Sequence, residues 1–254
     1  MGLGLVLVLV VASIVFKRNF FALLGDDAGP APGQEASQPY QGTPEEEQLV
    51  NFVSFVLDDA QKTWARILPG RYEKAKLVLF SDQISSACGF ASAASGPFYC
   101  PGDRKVYIDL SFYDQLQRRF GAPGEFAQAY VVAHELGHHV QNLLGIDEEM
   151  RRAQRARPDL ANALSVRLEL QADCLAGVWG HSTGERGILE SGDVEAGLNA
   201  AAAIGDDRLQ KGAGRGVHPE SFTHGSSAQR VRWFRAGLES GSVEACNTFR
   251  ARDL

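Results

Sequence analysis

A chain of 254 residues, 44 % hydrophobic and 22 % charged, has an ordinary globular composition and ample apolar material for a core. Its formal net charge of −6 argues against the broad basic surface of a nucleic-acid-binding protein. Four cysteines without a C-x-x-C pair argue against a zinc ribbon or finger.

Residues Gly2 to Phe16 are apolar apart from Ser13, and Lys17-Arg18 separates them from a second apolar patch, Phe20 to Leu24. Read as one segment, 1–24 is long enough to span a bilayer, and no small-x-small cleavage signal closes it. A single-pass, uncleaved membrane anchor is therefore expected. The basic residues follow the run, which by the positive-inside rule draws the downstream side into the cytoplasm. A disulfide-capable cysteine set and a long downstream domain suit export instead, and an extracytoplasmic domain is the expectation adopted. The Pro- and Gly-containing stretch that follows reads as a linker over 25–43, leaving 44–254 as the main domain.

Thr43-Pro44-Glu45-Glu46 predicts a helix start, with Thr43 as N-cap, Pro44 at the first helical position and Glu46 completing a capping box. Leu49, Phe52, Val53, Val56, Ala60 and Trp64 recur at helical spacing up to Pro69-Gly70. Ala75 to Phe80 is β-prone, Ser81 to Ser95 reads as a long loop, and Pro97–Cys100 with Val106–Asp109 resembles a β-hairpin. Helical patterns follow over Ser111–Phe120, Phe126–Leu144, Asp159–Gly180, Asp193–Gly205 and Ser226–Leu238. Glu148, Glu149 and the arginines 151, 152, 155 and 157 read as a solvated helix face. A few strands before a mostly helical remainder predict an α+β fold with a small antiparallel sheet. The Gly-rich loop Gly212–Gly225 carries His218 and His224.

Cys88, Cys100, Cys174 and Cys246 permit three pairings. Cys88–Cys100 closes a short loop, and Cys174–Cys246 would then tie the C-terminal tail to a central helix. Four free buried thiols are the alternative, and redox compartment separates the two.

The chemistry concentrates in Ala133-His134-Glu135-Leu136-Gly137-His138-His139-Val140, an H-E-x-x-H pattern within a predicted helix. His134 and His138 are four residues apart and project from one face, so both can reach one Zn²⁺. Glu135 lies beside that face, where it can act on a water without ligating the metal. His139 is turned about 100° away and is expected to be a packed or solvent-facing neighbour. Catalytic zinc needs a third protein ligand. The H-x-x-G-x-x-H extension fails, because Leu144 stands where its last histidine belongs. The best candidate is Glu169 in Leu168-Glu169-Leu170-Gln171-Ala172-Asp173, with Asp173 four residues on, placed to fix a ligand's tautomer. A helix-surface acid pair is the competing reading. His224, ahead of a predicted helix, is positioned to stabilise an oxyanion or to be a loop histidine without a role.

Gly96–Pro101, Val106–Ser111, Tyr130–Asn142, Arg167–Cys174 and Thr223–Arg230 together resemble the bacterial putative neutral zinc metallopeptidase family, from about Gln48 to Phe249. The resemblance implies a zincin-like fold, a membrane-anchored protein and one catalytic Zn²⁺. The motif order is also similar to gluzincins, which include CAAX-processing proteases. Position by position it implies His134, His138 and Glu169 as ligands, Glu135 as the base, and Asp173 as support. It further implies His224 with Arg230 as a transition-state pair. The family pattern carries a basic, Gly-rich stretch before the anchor, whereas here Met1 opens directly into the apolar run.

Hydrolysis of a protein or peptide substrate is the expected activity. An exposed strand within Gly96–Asp109 is expected to pair with the extended substrate. The rival is a non-catalytic, membrane-anchored zinc adaptor or chaperone. A di-iron carboxylate bundle would need a second E-x-x-H, which the chain lacks.

Overall fold

The computed structural model describes residues 43–92 and 96–254. The expected anchor and the linker up to residue 42 lie outside the described residues. Among the described residues, no helix is long and apolar enough to cross a membrane.

Thr43 Oγ1 accepts from the Glu46 N–H, and Glu46 accepts the Thr43 N–H at 2.7 Å, so the capping box forms and opens α1 (Pro44–Ile67). Strands β1 (Lys76–Phe80), β2 (Gln83–Ser86), β3 (Gly89–Ser92), β4 (Phe98–Cys100) and β5 (Lys105–Asp109) follow. The rest is helical: α2 (Ser111–Arg118), α3 (Glu125–Leu143), α4 (Ile146–Ala156), α5 (Ala161–Glu185), α6 (Asp193–Ala203), α7 (Asp206–Gly212) and α8 (Ser227–Ser240). The class is α+β, mostly helical with small sheets.

Three details differ from the sequence reading. The main sheet, ordered β1-β5-β4, is mixed: β4 runs antiparallel to β5, but β1 runs parallel to it, Lys76 opposite Lys105 and Phe80 opposite Asp109. A parallel pair needs a long crossover, and residues 81–104 provide one. Within that crossover the expected loop Ser81–Ser95 contains a second, two-stranded sheet, with Ile84 opposite Ala91. Its small polar residues leave Ala91 as the buried position, so almost no period-2 signal reached the sequence. Helix α7 also went unforeseen, since it is short and polar.

Helix α3 lies at the centre, buried along most of its length from Phe126 to Gln141. It packs against α1, α5 and α6, with Val53, Ala60, Tyr130, Val132, Leu136 and Phe234 fully or nearly fully buried in the principal core. Helices α5 and α8 cross at two glycines. A Cβ on Gly177 would stand 2.1 Å from Phe234 O, and one on Gly237 would stand 1.9 Å from Cys174 O. Only bare backbone allows that approach, and it brings Arg230 of α8 over α5.

The structure pairs Cys88 with Cys100 and Cys174 with Cys246, Cα–Cα 5.7 and 5.4 Å. The second bridge spans 72 residues. Loop-closure entropy for that span predicts that Cys246→Ser lowers stability by about 4 kcal/mol, against about 3 kcal/mol for Cys88→Ser across the short loop. Denaturant midpoints measure both. An unchanged midpoint in Cys246→Ser would reject the tail as a structural part of this domain.

Candidate metal centre

The motif helix α3 meets α5 at Gly137, where an added Cβ would lie 2.8 Å from Ala172 O. The missing side chain lets the carboxylates of α5 come within reach of the imidazoles of α3. His134 Nε2 lies 3.2 Å from Glu169 Oε2, and His138 Nε2 lies 3.5 Å from Glu169 Oε1. Among the described residues, His134, His138 and Glu169 form the one cluster whose ligand atoms all fall within 4.8 Å of one another. Glu169 is 19 % exposed at its side chain and Asp173 0 %, so this is not a helix-surface acid pair.

The outer face of each imidazole decides what the inner face offers. Asp173 Oδ1 accepts from His134 Nδ1 at 2.8 Å, and Gln141 Oε1 accepts from His138 Nδ1 at 2.8 Å. Gln141 is itself oriented by donating to Leu168 O at 2.7 Å and to Gln171 Oε1 at 3.1 Å. With both Nδ1–H groups donated outward, both Nε2 lone pairs point at a carboxylate that can only accept. Two lone pairs facing an anion call for a cation between them. Two donors held at 2.0–2.1 Å by a tetrahedral Zn²⁺ are roughly 3.3 Å apart, close to the spacing observed. The residues therefore fit the zinc.

Charge tells the same story. Burial alone would lower the pKa of His134, but the carboxylates of Asp173 and Glu169 more than reverse this and lift it to about 10. Burial would raise the pKa of Glu169, yet His138 and His134 hold it well below the usual range. Protons and a metal ion compete for the same lone pairs, and carboxylates that favour one cation favour the other.

Glu135 follows His134 on the helix and faces the same cavity. It is 6 % exposed, and its carboxylate takes no hydrogen bond among the described residues. Burial is the main reason its pKa is raised. Burying its charge is costly, and the imidazoles of His134 and His138 offset part of that cost.

Asp173 is the hub of the supporting shell. Besides His134, its Oδ1 accepts from Tyr130 Oη at 2.5 Å and from Arg230 Nη2 at 2.9 Å, and its Oδ2 accepts from Arg230 Nε at 2.9 Å. Arg230 Nη1 also donates to Ile204 O at 3.2 Å. The guanidinium thus holds Asp173, and Arg230 and His224 both line the cavity. His224 stands apart on the loop before α8, half-exposed at the cavity wall, with its Nδ1 3.2 Å from Asp206 Oδ1. Asp206 Oδ2 accepts the backbone N–H groups of Thr223, His224 and Gly225, at 2.7, 2.7 and 3.1 Å. The hydrogen bond to Asp206 raises the pKa of His224.

Tyr130, Gln141 and Asp206 were not found by sequence reasoning. Tyr130 is four residues before His134 and Gln141 three after His138, so helical spacing held that signal. Asp206 offered none.

The cluster opens into a cavity of about 920 Å³, at the upper end of the usual range for ligand sites. Phe112, Phe120, Val131, Asp147, Met150 and Gln154 are among the residues that line it. Gly96, Phe98 and Tyr99, on and before the edge strand β4, form one wall.

Over residues 1–249 the chain matches the family described as "Putative neutral zinc metallopeptidase". It is 47 % identical over 248 residues to "Uncharacterized protein YpfJ" of Escherichia coli, covering 95 % of this chain and 86 % of that protein. It is 43 % identical over 235 residues to "Uncharacterized protein Rv2575" of Mycobacterium tuberculosis, covering 88 % of this chain and 78 % of that protein. No solved structure matches it.

Proposed function

Because the chain belongs to the putative neutral zinc metallopeptidase family, we propose that it is a zinc-dependent endopeptidase, with His134, His138 and Glu169 as metal ligands and Glu135 as general base. One observation carries this reading: two imidazoles held in the ligating tautomer converge with a carboxylate, beside a second buried carboxylate that faces the same cavity. Zn²⁺ held there would supply Lewis acidity at neutral pH. Glu135 takes the proton of the attacking water and passes it to the departing amine nitrogen. His224, its Nδ1 held by Asp206, donates from Nε2 to the oxyanion. Asp173, Tyr130 and Arg230 hold His134 in place. A zincin-like fold is in keeping with a small sheet beside the motif helix. The free edge of β4 offers backbone groups to an extended protein or peptide substrate.

The same reading places the enzyme at a membrane, with 1–24 as a single-pass anchor, 25–43 as a linker and the peptidase domain 44–254 outside the cytoplasm. Two disulfides within that domain suit an oxidising compartment. The acidic net charge speaks for a protein or peptide partner over nucleic acid.

The purified chain is expected to contain one zinc per chain by metal analysis. A chelator should abolish cleavage of an unfolded protein substrate, and added zinc should restore it. A chain that holds zinc yet cleaves nothing across a broad peptide set would favour the adaptor reading.

A further inference from the structure

The motif stretch His138-His139-Val140-Gln141-Asn142 carries two side-chain pairs at the same helical spacing. His138 and Gln141 face the metal cluster. His139 and Asn142, turned about 100° from them, face the sheet, and the chemistry above makes no use of them. His139 is fully buried. Its Nε2 lies 2.6 Å from Glu73 O, on the segment leading into β1, and its Nδ1 lies 2.9 Å from the hydroxyl of Tyr99 on β4. Asn142 Nδ2 donates to the same hydroxyl at 2.9 Å.

The proton positions follow from the ends of this chain. A carbonyl only accepts, so His139 donates Nε2–H to Glu73 O. Its Nδ1 then accepts the Tyr99 O–H, and the Tyr99 oxygen accepts from Asn142. Each of the three hydrogen bonds then has one donor and one acceptor. Rings of Tyr72 and Tyr99 box the imidazole at 5.5 and 5.2 Å. The edge strand of the cavity is therefore pinned to the very turn of helix that carries His138.

We propose that His139 and Asn142, acting through the Tyr99 hydroxyl, form a latch that fixes edge strand β4 relative to the metal cluster, and that they are positioning residues for substrates bound as an added strand. This rests on the peptidase reading. The substrate class it implies is an extended peptide long enough to pair along β4, because a shorter one gains nothing from a strand held in register. A helix that ligates a metal and also holds the docking strand sets the distance between the docked backbone and the reacting centre.

The test compares the zinc-loaded full chain and its Asn142→Ala variant on an unstructured decapeptide and on a capped dipeptide carrying the same scissile bond. Loss of one hydrogen bond predicts a KM about fivefold higher for the decapeptide, with its kcat and both constants for the dipeptide within about twofold of the parent. In a Tyr99→Phe background, Asn142→Ala should add nothing further. His139→Gln serves as the second variant, with the same long-versus-short split expected at full zinc content. Equal effects on the two substrates, or additive effects of Tyr99→Phe and Asn142→Ala, would overturn the latch while leaving the peptidase reading intact. Failure of the parent chain to cleave either peptide would strike the peptidase reading and take the latch's substrate role with it.

Discussion

Glu135→Gln should bind zinc as the parent does and lose peptide hydrolysis by about 10²–10⁴-fold in kcat, the usual contribution of a positioned proton-transfer group. The substitution keeps the side chain's size and shape, and Glu135 is not among His134, His138 and Glu169, whose ligand atoms converge. Metal analysis should therefore return the same stoichiometry. The melting temperature should not fall either. Burial outweighs the attraction of His134 and His138 and raises the pKa of Glu135, so a neutral amide there relieves a desolvation cost. Retained zinc, retained stability and absent turnover together would separate a base from a structural residue. Turnover within about twofold of the parent would remove Glu135 from the proton-transfer step, since such a group is worth at least about a hundredfold. Comparing new N-termini in cells that carry the parent or the Glu135→Gln chain would then identify substrates.

Asp173→Asn is expected to damage both stability and metal affinity. Arg230 is 2 % exposed at its side chain and Asp173 0 %, so removing the carboxylate strands a buried guanidinium. Breaking one side of a buried pair costs about 3–5 kcal/mol, which for a domain of this size lowers the melting temperature by roughly 6–20 °C. The same change removes the negative charge and leaves one amide oxygen for the donors of His134, Tyr130 and Arg230, so the tautomer of His134 is no longer firmly set, a loss worth about 10–100-fold in zinc affinity. A second variant separates the two effects. Replacing the pair by Leu at 173 and Met at 230 removes both charges, so stability should recover while zinc affinity does not. If Asp173→Asn leaves both quantities unchanged, the hub is not what holds His134.

The parts of this molecule that the sequence made legible are those whose partners lie within a turn or two of helix. The capping box at Thr43 and Glu46 formed as its spacing dictated. The four-residue intervals of His134 with His138 and of Glu169 with Asp173 placed each pair on one helix face, and both faces meet at the cluster. The hairpin of β4 and β5 was readable too, since its turn residues sit between its strands. The parallel pairing of β1 with β5 was not, because strand direction across a crossover of some two dozen residues leaves no local trace. The hairpin Gln83–Ser92 was lost for another reason: its backbone pairs, but few of its side chains are buried.

The sequence by itself determined that the chain carries two histidines and a carboxylate pair fit for one metal ion, and which helices present them. It could do so because a helix repeats every 3.6 residues, whatever it packs against. Only the tertiary structure decided that the histidine Asp173 stands behind is His134. It also assigned Arg230 to Asp173, bound His224 to Asp206, and turned His139 and Asn142 toward Tyr99. Those choices depend on the approach of helices at Gly137, Gly177 and Gly237 and on hydrogen bonds between residues 18 to 57 positions apart. A polar side chain takes the partner that its neighbours bring near, and no residue spacing along one helix records which neighbour that will be.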